Sequence, residues 1–137
     1  MRNLGVLFAI LQLLVSPSGT PKRVAETQVA MQTCGLLNLL CNMCLSTALP
    51  AVIVQPVLLT VADAVRGSNS GQAVLVTVAE GHAPVILLQI AHDTKRPFET
   101  RCAALYCFQS VLYHNQDMQL KMAATFLPSP PGDAPQV

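Results

Sequence analysis

Two cysteines three residues apart have the spacing that metal sites and redox centres use. Cys41 and Cys44 form a CxxC motif, and on a helix this spacing places both thiols on one face. A zinc site needs two further ligands, and no second CxxC or HxxxH follows at zinc-finger spacing. A redox dithiol is expected after a strand, whereas residues 36–40 resemble an apolar helix. Two buried thiols are therefore the favoured interpretation, and a thiol-redox or zinc protein is the alternative.

The other side chains capable of acid–base chemistry are scattered. The histidines lie in predicted loops or helix ends, where a helix dipole alone favours a partly cationic ring: His82, His92 and His114. The candidate acids have no base or metal beside them in sequence: Asp63, Asp93 and Glu99. The basic pair Lys95-Arg96 is typical of a solvated turn. No phosphate-loop, HExxH, GxSxG or dinucleotide motif occurs, so the sequence predicts no catalytic, cofactor or metal residue and no enzyme activity.

The composition points to a protein whose surface faces other protein or lipid. Of the 137 residues, 52% are apolar and 11% charged, against roughly 25% charged in ordinary soluble domains. The net charge of +1 comes without a basic stripe, and aromatic residues make up 4% with no tryptophan. Neither phosphate neutralisation nor base stacking is supported, so nucleic acid is excluded as a partner class.

The N-terminal region allows two interpretations. The apolar run 4–15 and the following Ser16-Pro17-Ser18-Gly19 mimic a secretory signal peptide, which would be removed at about residue 19 and leave a small secreted helical protein. The run is too short to span a bilayer stably. The other interpretation is an apolar solenoid helix. The five cysteines lie within apolar helical runs, which favours buried thiols in a reducing compartment.

Proline, glycine and polar clusters divide the chain into helix-length pieces. The predicted helices span 3–15, 22–33, 36–46, 50–66, 71–79, 84–92, 97–115 and 117–127. Alternating β-branched residues make strands the rival interpretation for 72–78, 51–54 and 57–61. Pro56 is expected to bend or interrupt its helix. The proline-rich segment 129–137 is predicted to be a disordered tail after a partial head at 1–128.

Several features recur at an interval of 47 residues. Pro50 and Pro97 each open a long helix, and Asn69 and Gln116 each follow one. Each unit therefore consists of a short apolar helix, a proline-initiated long helix, a polar turn and another short helix. The helices before residue 35 resemble the last two-thirds of a preceding unit. This period is typical of armadillo and HEAT repeats and predicts an all-α, armadillo/HEAT-like helical solenoid, partial, with about two to three repeats.

A solenoid of this size is expected to be incomplete. Each unit buries its apolar face against its neighbours, so the terminal units need polar caps. The first helix is nearly all apolar and a proline-rich segment follows the last one, which predicts a fragment of a longer solenoid. Fewer than three complete repeats predict marginal stability.

Segments distributed along the chain resemble the head domain of the general vesicular transport factor family. The most specific are Arg101-Cys102-Ala103-Ala104-Leu105-Tyr106-Cys107-Phe108-Gln109 and Leu112-Tyr113-His114-Asn115-Gln116. Four others are similar to the same head: Gln32-Thr33-Cys34-Gly35-Leu36-Leu37, residues 61–67, Thr125-Phe126-Leu127-Pro128-Ser129 and Leu13-Leu14-Val15-Ser16-Pro17, which in that family lies inside the solenoid. The resemblance thus covers nearly the whole chain to Ser129 and favours a solenoid helix over a signal peptide.

The resemblance implies a non-catalytic, protein-binding scaffold in vesicle tethering between endoplasmic reticulum and Golgi and within the Golgi. It implies a cytoplasmic location at the cytosolic face of the Golgi membrane, with peripheral attachment only. Rab-type GTPases, SNAREs and Golgi matrix proteins are the partners that it implies. No heptad or acidic run occurs here, so the family's coiled-coil dimerisation and tail contacts are not carried over, and no family binding residue is assigned.

Overall fold

The computed structural model describes residues 2–127, in which every regular element is helical. Eight α-helices follow in chain order, with a single 3-10 turn at Ala79–Gly81 between the fifth and sixth. Their bounds are α1 Arg2–Val15, α2 Pro21–Thr33, α3 Leu36–Cys44, α4 Ala51–Val65, α5 Asn69–Thr77, α6 Ala83–His92, α7 Phe98–Leu112 and α8 Gln116–Phe126. The all-α prediction is confirmed over this range, whereas the disordered tail predicted for 129–137 lies outside the described residues.

The alternating segment 72–78 belongs to a helix. In α5 the buried residues fall on one helical face: Gly71, Gln72, Leu75 and Val76. The spacing of these residues matches the period of a helix, so this face packs against neighbouring helices. The β-branched residues alone had suggested the alternation of a strand. The strand interpretation is wrong here and for the two segments within α4, because burial on a packed helical face overrides weak local propensity.

Residues that favour particular backbone angles set the ends of the long helices. Pro50 and Pro97 are extended and precede the first helical residue, so both helices begin one position after the predicted start. At the end of α4 the chain turns at Gly67, which has a φ of 74°. This left-handed conformation suits glycine, as the sequence predicted for that position. The helices that follow α4 and α7 have the same kind of N-terminal cap. The Ser68 side chain accepts from the Gly71 N–H at the start of α5, and the Asn115 side chain accepts from the Met118 N–H at the start of α8.

Helix α4 continues through Pro56. A proline here removes the N–H that would bond to the carbonyl four residues earlier, and that carbonyl belongs to Val52, an exposed residue. Water can therefore replace the missing bond. The carbonyl of Pro56 accepts from Gln12 of α1 at 3.1 Å and from the Thr60 hydroxyl at 2.8 Å. The interruption expected at Pro56 does not occur. The exposed position of Val52 and the hydrogen bonds to the Pro56 carbonyl allow the helix to contain a proline here.

The long helices stack side by side and form the spine of the molecule. α4 packs against α1 on one side and α7 on the other, while α3 and α6 pack against α4 and α7 respectively. Leu40 and Leu87, which are 47 residues apart, both lie buried in this core. The apolar run that resembled a signal peptide forms α1, and its Phe8, Leu11 and Val15 are buried. The predicted solenoid is thus observed, and one face of the run lies in its core.

Candidate functional site

The CxxC cysteines lie in the core and form no reactive site. Cys41 and Cys44 are fully buried on α3, and the Cys44 thiol donates to the Cys41 carbonyl at 3.2 Å. Burial raises the pKa of Cys41 to about 12 and also raises the pKa of Cys44, so both thiols stay protonated at neutral pH. Within the described range no three His, Cys, Asp or Glu residues are grouped to hold a metal. The geometry favours buried packing residues over the redox or zinc alternative.

The other acid–base candidates occupy local structural positions. His82 follows the 3-10 turn, and its Nδ1 lies 3.0 Å from the Ala79 carbonyl. His92 ends α6 as the helix-dipole argument predicted. Asp93 makes an ion pair with Arg96 at 3.4 Å and accepts from the Lys95 N–H. These contacts organise the turn before α7.

Asp63, in contrast, belongs to a polar cluster that joins α4 to α7. Its carboxylate accepts from the Tyr106 hydroxyl at 2.6 Å. One helical turn later, the guanidinium of Arg66 donates to the Gln109 amide oxygen and, at 3.1 Å, to the Ser110 hydroxyl. Two neighbouring repeats are therefore linked by side chains that also reach the surface.

Two tyrosine rings flank Arg66. The guanidinium carbon lies 3.9 Å from the ring centroid of Tyr113 and 5.2 Å from that of Tyr106, both within cation–π range. His114 has a φ of 52°, and its ring centroid lies 4.1 Å from that of Tyr113. Arg66 is thus held in one orientation by stacking as well as by hydrogen bonds, which leaves a rigid polar and aromatic surface.

Partial burial controls the charge of this cluster. It raises the pKa of Asp63, while the Tyr106 hydrogen bond and the nearby Arg66 charge act in the opposite direction. Burial, followed by the hydrogen bond and charge of Asp63, raises the pKa of Tyr106 to about 12. At neutral pH the Tyr106 phenol is therefore neutral and donates its hydrogen bond to the carboxyl group of Asp63.

Two buried glutamines hold the C-terminal ends of the long helices. The Gln28 amide nitrogen on α2 donates to the carbonyls of Asp63 and Arg66, at 3.0 and 2.9 Å. The Gln72 amide nitrogen on α5 donates to the carbonyls of Ser110 and Tyr113, at 2.9 and 2.8 Å. The accepting residues of α4 and α7 are 47 residues apart. We call each such contact a glutamine clamp; it satisfies helix-end carbonyls that have no partner within the helix.

We define the α4–α7 patch as the outward surface formed by Arg66, Leu105, Tyr106, Gln109 and Tyr113. The cavity beside it has a volume of about 130 Å³. Small-molecule pockets usually measure about 300–1,000 Å³, so the patch suits a protein surface better than a small ligand. Tyrosine and arginine are common among the residues that dominate binding energy at protein interfaces.

No site residue was predicted from the sequence, and both the patch and the clamps were missed. Asp63 was considered as an acid, but its partner Tyr106 lies 43 residues away. The available signal was the repeat itself, since Asp63 and Ser110 are 47 residues apart, as are Arg66 and Tyr113. Polar residues that recur at the repeat interval indicate contacts between units.

Comparisons with known proteins show sequence similarity to vesicular transport factors. A family model described as the armadillo tether-repeat of vesicular transport factor matches residues 1–53. The general vesicular transport factor p115 of Rattus norvegicus is 38% identical over 132 residues, which cover 93% of this chain and 14% of the relative. The p115 of Homo sapiens shows the same identity and coverage. The family match includes the apolar run 4–15, which agrees with its place in the solenoid.

The part of the chain that the structure describes contains no helix both long and apolar enough to cross a membrane. The chain spans 14% of the length of the p115 proteins that it matches.

Proposed function

Because the chain is a relative of the general vesicular transport factors by sequence, we propose that it is a non-catalytic scaffold that binds other proteins during vesicle tethering. The observation that carries this proposal is the 38% identity to p115 over 93% of the chain. The solenoid gives the proposal a physical basis, since stacked helices create an extended surface for partners. Residues 1–128 act as one partial head in this proposal.

We extend the proposal to the cellular step that the family resemblance implies. The chain acts in transport from endoplasmic reticulum to Golgi and within the Golgi, at the cytosolic face of the Golgi membrane. Its attachment is peripheral and depends on protein partners, for which Rab-type GTPases, SNAREs and Golgi matrix proteins are the candidates. We assign the contact to the α4–α7 patch, because Arg66 is already immobilised by Tyr113 and Gln109. A preordered side chain loses little conformational entropy on binding.

Expression of the tagged 137-residue chain, followed by fractionation and imaging, tests the location. We expect an intact N-terminus and a Golgi-associated pool that high salt releases without detergent. A product that begins near residue 20 in the secretory lumen would contradict the proposal. So would a chain that never associates with Golgi membranes while correctly folded.

A matched pair of substitutions tests the patch. Leu105 is 51% exposed on α7 within the patch, and Leu39 is 57% exposed on α3 outside it. Leu105→Glu should abolish Golgi association, because it places a charge on an apolar position of the proposed contact. Leu39→Glu should retain association, and far-ultraviolet circular dichroism should show equal helicity for both variants. If both variants behave like the unmodified chain, the patch is not the docking surface.

A further inference from the structure

The guanidinium group of Arg66 has one occupied end and one open edge. Its Nη1 donates to Gln109 and Ser110 of α7. The N–H groups of Nε and Nη2 lie side by side on the other edge of this planar group, and neither donates to an acceptor among the described residues. Within the same range the sole buried side-chain nitrogen or oxygen without a partner belongs to Arg96, so the open edge of Arg66 is accessible to solvent. Such an edge can donate two parallel hydrogen bonds to one anionic group.

The positive charge of Arg66 is also available to a ligand. The single ion pair within the part of the chain that the structure describes joins Arg96 to Asp93. Asp63 belongs to the same cluster as Arg66, but its carboxylate is engaged by the Tyr106 hydroxyl. Arg66 therefore combines an open donor edge with a charge that no ion pair neutralises.

The fold fixes the orientation of Arg66 before any ligand arrives. The Tyr113 ring covers the guanidinium, with its centroid 3.9 Å from the central carbon. The backbone is held as well, since the Gln28 amide nitrogen donates to the Arg66 carbonyl at 2.9 Å. A ligand that binds the open edge does not have to order this side chain, which lowers the entropic cost of the contact.

The cavity beside Arg66 limits the size and the charge of the group that can bind there. Its volume is about 130 Å³, and its lining includes three apolar residues and one acidic residue: Val15, Pro17, Val24 and Asp63. A cavity of this size accommodates a side chain rather than a whole small molecule. A phosphate group carries about two negative charges near neutral pH, so Asp63 would repel it more strongly than it repels a carboxylate with one charge. Size and charge together favour a single carboxylate.

We propose that Arg66 binds the carboxylate of an aspartate or glutamate side chain on a protein partner, through Nε and Nη2. This inference rests on the proposed protein-binding role of the α4–α7 patch and names the chemistry of the contact. Leu105 lies one helical turn before Gln109 and is 51% exposed, so it offers an apolar surface to a neighbour of the acidic residue. The partner segment is therefore an acidic residue flanked by an apolar one.

Titration of the isotope-labelled full chain with capped tripeptides, followed by NMR, tests the contact. The Arg66 Nε–H resonance should move on addition of Leu-Glu-Leu, and Leu-Gln-Leu should bind at least about tenfold more weakly because it lacks the charge. Arg101 is the internal control, because its Nε already donates to the Ala91 carbonyl at 2.8 Å and its resonance should stay in place. A stationary Arg66 resonance, equal binding of the two peptides, or tighter binding when phosphoserine replaces the glutamate would overturn the proposal.

A matched pair of arginine variants separates the donor edge from the charge. Arg66→Lys keeps the charge but removes the two parallel donors, so it should weaken binding of Leu-Glu-Leu by about tenfold. Arg101→Lys should bind the peptide as the unmodified chain does. The backbone amide of Gly67, next to Arg66, reports binding in both variants, and circular dichroism should show equal helicity. Equal affinities of the two variants would contradict the role of the Arg66 edge.

The peptide titration requires no membrane, so it distinguishes this inference from the proposed function. A chain that binds Leu-Glu-Leu at Arg66 but never associates with Golgi membranes would support the carboxylate site and contradict vesicle tethering. A chain that associates with Golgi membranes while its Arg66 resonance ignores the peptide would contradict the carboxylate site alone.

Discussion

The Arg66 side chain takes part in the contact between α4 and α7 and also lies in the surface patch. It lies just after α4, donates to Gln109 and Ser110 of α7, and stacks on Tyr113. Hydrogen bonds from a charged group contribute more than neutral ones, about 1.5–3 kcal/mol in typical cases. Arg66 and Tyr113 are one repeat interval apart in the sequence. That spacing alone does not predict that the turns after the two helices bring these side chains into contact.

The phenol of Tyr106 makes the stability of the chain depend on pH in the alkaline range. Its folded-state pKa of about 12 lies above the reference value of 10.0, so folding favours the neutral form. This contribution is complete below pH 10 and is lost as the pH rises through about 12. Urea unfolding at pH 8 and pH 11 should therefore show a smaller loss of stability for Tyr106→Phe than for the unmodified chain. Equal losses in the variant and the unmodified chain would contradict the assignment.

The thiols should divide into two groups by reactivity. Cys34 and Cys102 are exposed, whereas Cys41, Cys44 and Cys107 are buried and burial raises their pKa. Because the thiolate is the reactive form, brief iodoacetamide treatment at pH 8 should label the two exposed cysteines of the folded chain and all five after denaturation. Peptide mass spectrometry identifies the labelled positions. Rapid labelling of Cys41 or Cys44 in the folded chain would revive the redox or zinc hypothesis.

At the scale of the helices, the sequence predicted elements better than it predicted their contacts. Proline and glycine act through local backbone geometry, so Pro97, Pro50 and Gly67 marked helix boundaries to within a residue. The segment around Val76 was ambiguous, because β-branched residues suit either element and tertiary burial decides between them. No prediction was made for Gln28 and Gln72, because only the fold places helix-end carbonyls beside them.

The clamp at Gln72 should stabilise the junction between α5 and α7. Gln72→Ala removes three hydrogen bonds: the two that its amide nitrogen donates to the carbonyls of Ser110 and Tyr113, and the one that its amide oxygen accepts from the Asn115 side chain at 2.7 Å. We expect a loss of about 2 kcal/mol in the free energy of unfolding, measured by urea titration. Gln89→Ala, at an exposed site on α6, is the matched control and should change stability by less than about 0.5 kcal/mol. Equal effects of the two substitutions would show that the clamp contributes no stability.

At the scale of the whole molecule, the 47-residue period was sufficient to predict the solenoid, because a repeated unit must stack to bury its apolar face. The α4–α7 patch could not be predicted in the same way. It depends on which side chains of adjacent units meet across the stack, as Asp63 and Tyr106 do. The spacing along the chain fixes the order of the helices but not the side-chain geometry between them.

Because the described solenoid has fewer than three complete units, each long helix has few neighbours to stabilise it. Solenoid stability is approximately the sum of unit and interface contributions, so we expect a free energy of unfolding at or below about 5 kcal/mol, the low end for domains. The measurement uses the purified chain at a low concentration that keeps it monomeric, because any association would raise the apparent stability. Its thermal transition, followed by circular dichroism at 222 nm and by calorimetry, should be broad, with a van't Hoff enthalpy below the calorimetric enthalpy. A sharp two-state melt of this monomer would instead mean that the contacts among α1, α4 and α7 suffice for a cooperative domain.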